Sequence, residues 1–235
     1  MYTMKYKIQV FALAFALVCT ATHSQAQTKQ SPSREGIRFI PRLGANFSNI
    51  TLDNYYTPGF MSEDTKLKTG FLVGIEVETP VGPAFYFQPG LLFSSKGAKM
   101  KSPDGTLKLS YLEIPLNFYY KPELGDGRLL LGAGPYAAFC TGATMDYTDE
   151  GNTSFKFANK KEYADLSGSS MYMRRSDFGL NISAGYEHAS GLMLELRAQL
   201  GLANNATEIN NAPLNIWEDG KFKNTLFSLV AGYRF

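Results

Sequence analysis

Phe227-Ser228-Leu229-Val230-Ala231-Gly232-Tyr233-Arg234-Phe235 closes the chain, and every odd position in it is apolar or aromatic while Ser228, Gly232 and Arg234 sit on the even ones. A period of two describes a strand with two unlike faces. Here one face suits hydrocarbon, the other suits a crowded interior, and an aromatic stands at the boundary, which is what a strand needs to cross a bilayer within a closed barrel. Tyr233 and Phe235 therefore read as the terminal signature used in assembly.

The same alternation recurs eight times. The lipid-facing sets are Ile37/Phe39/Leu43/Phe47, Phe71/Val73/Ile75/Val77, Phe85/Phe87/Leu91/Phe93, Leu112/Ile114/Leu116/Phe118/Tyr120, Leu129/Leu131/Ala133/Ala137/Phe139, Phe178/Leu180/Ile182/Ala184/Tyr186, Leu192/Leu194/Leu196/Ala198/Leu200 and Phe227/Leu229/Ala231/Tyr233/Phe235. An even strand number brings both ends of the chain to one side. Connections alternate in length: Pro80–Pro83, Lys121–Gly127 and His188–Gly191 are short, whereas Thr51–Lys66, Gly97–Gly105, Ala143–Arg175 and Ala203–Phe222 are long. Short periplasmic turns and long outer loops are the pattern of outer-membrane barrels. The expected fold is thus all-β, an eight-stranded antiparallel up-and-down transmembrane barrel.

Aromatic spacing supports the same reading. Phe39/Phe47, Phe85/Phe93, Phe178/Tyr186 and Phe227/Phe235 each bracket one strand. Eight steps of ~3.3 Å, tilted ~40°, rise roughly 20 Å, close to the ~25 Å apolar band between aromatic girdles.

The opposite face carries glycines such as Gly44, Gly74, Gly132, Gly179 and Gly232 beside Arg38, Arg42, Glu76, Glu78, Glu113, Glu187, Glu195, Arg197 and Arg234. A narrow barrel is filled by its own side chains, so Arg38, Arg42, Arg197 and Arg234 should pair inside it with Glu76, Glu113, Glu187 and Glu195. A soluble lipocalin-like sheet would carry Thr, Lys and Glu on that face in place of so much glycine. Leu72, Tyr86, Leu92, Tyr119, Leu130, Tyr136 and Met193 add bulk to the interior. Two features disturb the pattern. Pro41, Pro89, Pro115 and Pro135 fall within strands and each removes a ladder donor, so bulges are expected there. Leu107, Leu109 and Tyr111 are out of phase with Leu112 onward, which predicts a register slip between Tyr111 and Leu112.

Residues 1–26 read as a cleaved secretory leader: Lys5 and Lys7, an apolar run from Ile8 to Cys19, then Ser24-Gln25-Ala26. A lipid-modified Cys19 is the weaker reading, since bulky Val18 precedes it. Residues 27–35 form a polar periplasmic lead-in and 36–235 the barrel. The whole chain has 23 basic and 21 acidic side chains, and loss of Lys5 and Lys7 with the leader leaves parity. A nucleic-acid partner would want a basic stripe. Cys140 would be the one remaining cysteine, which precludes an intramolecular disulfide.

Gly44-Ala-Asn-Phe-Ser48, Lys68-Thr-Gly-Phe71, Gln88-Pro-Gly-Leu-Leu-Phe-Ser-Ser-Lys-Gly97, Tyr111-Leu-Glu-Ile-Pro-Leu116 and Gly232-Tyr-Arg-Phe235 together resemble the PorT-like outer-membrane β-barrel family, often called porin-like. The resemblance runs from about Ile37 to the last residue. It implies an eight-stranded barrel of the Gram-negative cell envelope, in a family mostly without a defined biochemical activity, one branch of which accompanies a protein-secretion apparatus.

Chemistry-bearing motifs are few. Small barrels that act as enzymes on lipid A rely on a histidine near the outer rim, and His188, the histidine left after the leader, falls in a periplasmic turn. No enzyme activity, metal site or cofactor is expected. Gly132-Ala-Gly134 lies within a strand with no helix behind it, so it is not a phosphate loop. Asp146, Asp149 and Glu150 lack the alternate spacing of a calcium loop. The loop Ala143–Arg175 mixes Tyr147, Phe155, Phe157, Tyr163 and Tyr172 with Lys156, Lys160, Lys161, Arg174 and Arg175. With Trp217 in the last loop, Tyr147, Phe155, Lys156, Phe157, Lys160, Lys161 and Tyr163 are candidate ligand contacts, because aromatics and cations together suit glycans and lipid phosphates; an ordinary extended hairpin is the simpler alternative. Expected partners are outer-membrane lipid, lipopolysaccharide and the assembly machinery, and the expected role is surface binding or envelope structure. The competing role is a small pore or an accessory of secretion or transport.

Overall fold

A computed structural model describes residues 36–53, 65–101, 104–148, 151–162, 171–210 and 221–235; the expected leader and lead-in lie outside the described residues. The alternating segments form eight long strands: β1 (Arg38–Asp53), β2 (Thr65–Gly82), β3 (Phe85–Lys101), β4 (Asp104–Tyr120), β5 (Gly127–Tyr147), β6 (Ser176–His188), β7 (Leu192–Gly201) and β8 (Lys221–Tyr233). Each pairs antiparallel with its chain neighbour, and β8 returns to β1 with Phe47 opposite Phe227 and Leu43 opposite Ala231. The sheet closes as an eight-stranded barrel. Closure leaves no edge among these strands, so their backbone groups are paired without water, as a hydrocarbon surrounding requires.

The outward face is apolar across a band with aromatics at both margins. Phe47, Phe71, Phe139, Phe178 and Phe227 stand exposed at one margin and Phe39, Phe85, Phe118, Tyr233 and Phe235 at the other. Ring pairs bind neighbouring strands along them, Phe71 with Phe93 at 5.8 Å and Phe85 with Tyr120 and Phe87 with Phe118 at 4.9 Å, while within the terminal segment Tyr233 stands edge-on to Phe235 at 4.8 Å. The Phe235 N–H donates to the Phe39 carbonyl at 3.2 Å, tying the chain end to the first strand.

Above the outer aromatic margin the strands continue, and their sidedness reverses in polarity without any change in phase. Leu107, Leu109 and Tyr111 are fully buried inside the barrel, in step with Glu113, Asn117 and Tyr119, while Lys108 points outward. The register slip expected between Tyr111 and Leu112 is therefore absent from β4. The physical reason is the change of solvent: within lipid the apolar residues face out, and beyond it they face in, away from water. The irregularity belongs to β5, where Tyr111 pairs with Cys140 but Ser110 pairs with Gly142, leaving Thr141 as the extra residue of a bulge. Thr141 Oγ1 donates to the Ser110 carbonyl at 3.1 Å and secures it.

The strand prolines do not produce bulges either. Register is unbroken across Pro41 opposite Ile75, Pro135 opposite Leu180, Pro89 opposite Leu116 and Pro115 opposite Tyr136. A proline subtracts one donor without adding a residue, so the ladder lapses locally while pairing resumes in step. Shifts occur elsewhere, between Leu67 and Leu72 and at the turn between Pro80 and Gly82.

The segment Gly97–Gly105, expected as a loop, is mostly strand, with β3 and β4 paired out to Lys101 opposite Asp104. From Phe93 that is eight further steps, so at ~3.3 Å each and a ~40° tilt the hairpin rises roughly 20 Å beyond the lipid band. Long outer connections also contain structure. Gly151–Phe157 pairs antiparallel with β5 and parallel with Met171–Met173, and Lys160–Glu162 pairs parallel with Glu208–Asn210.

Candidate functional site: a filled lumen and a closed outer mouth

Two inward positions show how the interior is made to fit. At Gly132 a Cβ would stand 2.4 Å from the Tyr119 ring, and at Gly232 it would stand 2.9 Å from the Arg42 side chain. Glycine on one strand thus makes room for a long side chain from the strands opposite.

Those long side chains form three tiers. In the middle, Arg42 Nε meets Glu76 at 2.7 Å and Arg197 Nη2 meets the other Glu76 oxygen at 2.9 Å; Arg197 Nε also reaches Glu195 at 3.0 Å, with Arg42 Nη1 at 3.6 Å from that carboxylate. Tyr119 donates to Glu195 at 2.9 Å and Ser183 to Tyr119 at 3.3 Å. Two guanidinium groups and two carboxylates, all buried, cancel in charge and are bonded to one another save for Arg42 Nη1, which has only the longer ionic contact; such pairing is the condition under which ions can be kept from water.

The tier toward the short turns centres on Lys121, which is paired with Glu78 and lies 3.0 Å from Glu187. Glu187 also takes Arg128 at 2.8 Å and Arg234 at 2.7 Å. Lys121 and Arg128 stand over the Tyr86 ring at 5.1 and 5.4 Å. In the tier toward the long loops, Lys96 binds Glu113 at 2.6 Å and is bonded to Gln199, above the rings of Tyr111 and Tyr136 at 5.1 and 5.0 Å.

Of the expected lumen residues, Arg42, Glu76, Glu113, Glu187, Glu195, Arg197 and Arg234 are all brought into these tiers, while Arg38 is half-buried at the foot of β1, opposite Glu78 in register. Glu113 takes a partner that the sequence reading did not name, Lys96. Lys121, read as a turn residue, and Arg128, at the foot of β5, are further partners that reading did not name. Parity was the available signal: Lys96 continues Gly90, Leu92 and Ser94, and Lys121 continues Glu113, Asn117 and Tyr119 on the inward face.

Above the ionic tiers the interior becomes apolar. Ile50, Met100, Leu107, Leu109, Cys140, Met145 and Phe222 line a packed chamber, and Phe155, Met171 and Met173 from the loop after β5 drop into it. Phe155 is thereby removed from the candidate ligand contacts: a large apolar ring escapes water by closing the mouth of the barrel. Tyr147 and Phe157 pack partly against the same cluster. Lys156 and Lys160 are exposed, and Lys161 lies over the Tyr172 ring at 5.4 Å. Tyr163 and Trp217 lie outside the described residues, as do Asp149 and Glu150; Asp146 is paired with Lys108.

The loops are clamped to one another. Glu208 accepts from Arg174 at 2.7 Å and from Lys160 at 3.0 Å, and Asn210 donates to Glu162 at 3.1 Å. Hydrogen bonds from Lys160 and Arg174, with their charges, hold the Glu208 carboxyl below its usual range. At the other end His188 Nδ1 lies 2.9 Å from Ser190 Oγ within its own turn. Among the described residues no group of three or more His, Cys, Asp or Glu side chains is placed to hold a metal ion.

A family model described as "Outer membrane protein beta-barrel domain" matches residues 25–207. No curated protein matches the sequence. Among solved structures, Ail, the attachment invasion locus protein of Yersinia pestis, is similar with a TM-score of 0.41 and 16% identity over 86% of this chain and 99% of that one. Neisserial surface protein A (NspA) is similar with a TM-score of 0.45 and 13% identity over 86% of this chain and 100% of that one.

Proposed function

This chain belongs to the outer membrane protein β-barrel domain family, and from that premise we propose that it is a non-conducting barrel whose outer loops perform surface binding or an envelope-structural role. One observation carries the reading: the lumen is closed twice, by buried ion pairs across the membrane band and by Phe155, Met171 and Met173 above it. Eight strands enclose a space that side chains fill, whereas open aqueous channels belong to barrels of about 16 strands. A porin-like label then describes ancestry.

The finer assignments follow the same reading. The chain is placed in the PorT-like group, exported through a cleaved leader over 1–26, with both termini periplasmic. Its partners are outer-membrane lipid, lipopolysaccharide and the assembly machinery. On this reading it is not an enzyme: His188 lies in a short turn, where it bonds Ser190, and among the described residues no carboxylate is bonded to it.

Planar-bilayer recording with purified protein tests the reading. The expected result is silence, together with binding in a screen of lipopolysaccharide, glycans and matrix proteins that is lost when the loop between β5 and β6 is trimmed. Large, steady single-channel steps would establish the pore instead.

A further inference from the structure

Strand β5 changes partner part-way along its length. Up to Phe139 it pairs with β6, Phe139 standing opposite Ser176; from Thr144 it pairs with Gly151–Phe157. The bulge at Thr141 lies in the interval, so the wall forks there and leaves a cleft of about 330 Å³ lined by Phe139, Phe157, Ala158, Asn159, Arg175 and Ser176.

The cleft is held open by its frame. The Cys140 N–H donates to the Arg175 carbonyl at 2.7 Å, the Ala158 N–H to Met173 at 3.1 Å, the Glu208 N–H to Asn159 at 3.0 Å and Thr207 Oγ1 to Ala158 at 2.8 Å. All of these engage backbone carbonyls, and among the described residues no hydrogen bond uses the side chains of Asn159, Arg175 or Ser176.

Arg175 is exposed, with its guanidinium 4.3 Å from the Phe157 ring centre and 5.3 Å from that of Phe139. Stacking uses the faces of the guanidinium plane and leaves its edge donors free, and that edge is a fork matched to the oxygens of a phosphate. No carboxylate among the described residues pairs with Arg175. The floor of the cleft is Phe139, which with Phe178 forms the outer aromatic margin of the lipid face. A ligand seated here has its polar group at headgroup height and its apolar part continuous with the acyl chains.

We propose that this cleft binds the phosphate of an outer-leaflet glycolipid, with Arg175 as the anion-binding residue and Asn159 and Ser176 as further donors. The inference rests on the reading that the long loops face the cell exterior and bind there.

Native mass spectrometry of the full barrel in detergent, with monophosphoryl lipid A and its dephosphorylated form as probes, tests it. Wild type should retain the phosphorylated lipid, and Arg175→Gln should lower that retention by about tenfold or more, the scale of lost hydrogen bonds to a charged group. Arg175→Lys should recover only part of it, and Lys99→Gln, on the β3 face, should leave it unchanged. If Arg175→Gln fails to give heat-modifiable folded barrel, Asn159→Asp serves instead, because a carboxylate beside the guanidinium should displace the phosphate. Equal retention of both lipids, undiminished retention by the variants, or displacement by soluble glucosamine 1-phosphate as effective as by lipid would overturn the proposal. Bilayer recording on the same samples separates the two readings, since a conducting barrel that still retains lipid through Arg175 would refute only the non-conducting role.

Discussion

Glu76 is the residue on which the middle tier turns, since its two oxygens take one guanidinium each, from Arg42 and Arg197. Glu76→Gln preserves shape but removes the charge, leaving two buried guanidinium groups against Glu195 alone. Breaking a buried pair from one side costs about 3–5 kcal/mol, most of it the penalty of the stranded partner. We expect that variant to unfold at markedly lower urea concentration in lipid vesicles, and Glu76→Gln combined with Arg197→Met to recover part of the loss. A denaturation midpoint for Glu76→Gln equal to wild type would show that water reaches this tier. The glycines act at the same scale: Gly232 admits Arg42, so a side chain there would push the guanidinium off its carboxylates.

At the scale of elements, β4 carries two environments on one unbroken alternation. Its outward residues pass from Phe118, Leu116, Ile114 and Leu112 to Ser110, Lys108 and Thr106, while its inward ones pass from Asn117 and Glu113 to Tyr111, Leu109 and Leu107. The lipid boundary is therefore placed between Ser110 and Leu112. In a Cys140→Ala background, Lys108→Cys should react on intact cells with a membrane-impermeant maleimide, Leu112→Cys only with a lipid-soluble one, and Leu109→Cys with neither until the protein unfolds. The loop clamp makes a second prediction at this scale. Glu208 is held below its ordinary range by Lys160 and Arg174, so its contribution is present above the free carboxyl value of 4.5 and is lost as pH falls through the lowered one. Amide protection across Lys160–Glu162 and Glu208–Asn210, taken relative to the intrinsic exchange rate at each pH, should be high at pH 7 and fall once Glu208 is protonated in acid, while Glu208→Gln should show low protection at both.

For the whole molecule, the two closures are in series, so opening one does not open a path. Replacing Arg42, Glu76, Glu195 and Arg197 together by alanine should leave single-channel recordings silent, because Phe155, Met171 and Met173 still fill the outer chamber. Trimming the loop after β5 alone should also be silent, since Lys96, Glu113 and the tiers below remain. Steps in conductance are expected only when the loop is trimmed and the tiers built on Lys96 and Lys121 are removed along with the middle one. Steady current from the alanine variant alone would show that the outer chamber does not seal. The tiers also tie distant strands across the lumen, Arg197 of β7 to Glu76 of β2 and Lys121 after β4 to Glu187 of β6, which stiffens the barrel against collapse of its wall.

Alternation alone determined the strands, their number, the lipid face and the aromatic margins, because in a barrel wall each residue's side is set by its parity and each side has its own solvent. Parity also held the inward positions of Arg42, Glu76, Glu195 and Arg197. Partner choice was another matter. Glu113 takes Lys96 from the neighbouring strand and Glu187 takes Arg128 directly opposite it, which needs the hairpin registers; that Arg197 would reach Glu76, and Lys121 and Arg234 would reach Glu187, depends on which inward positions meet across the lumen, a consequence of strand tilt and closure that no local pattern encodes. The apparent slip at Tyr111 had the same origin: the sequence shows where polarity inverts, but an inversion caused by slipped register and one caused by passing from lipid into water look alike until the neighbouring strands are in place. The fork at Thr141, and with it the cleft around Arg175, arose only from the tertiary structure, because it exists where β5 leaves one partner for another.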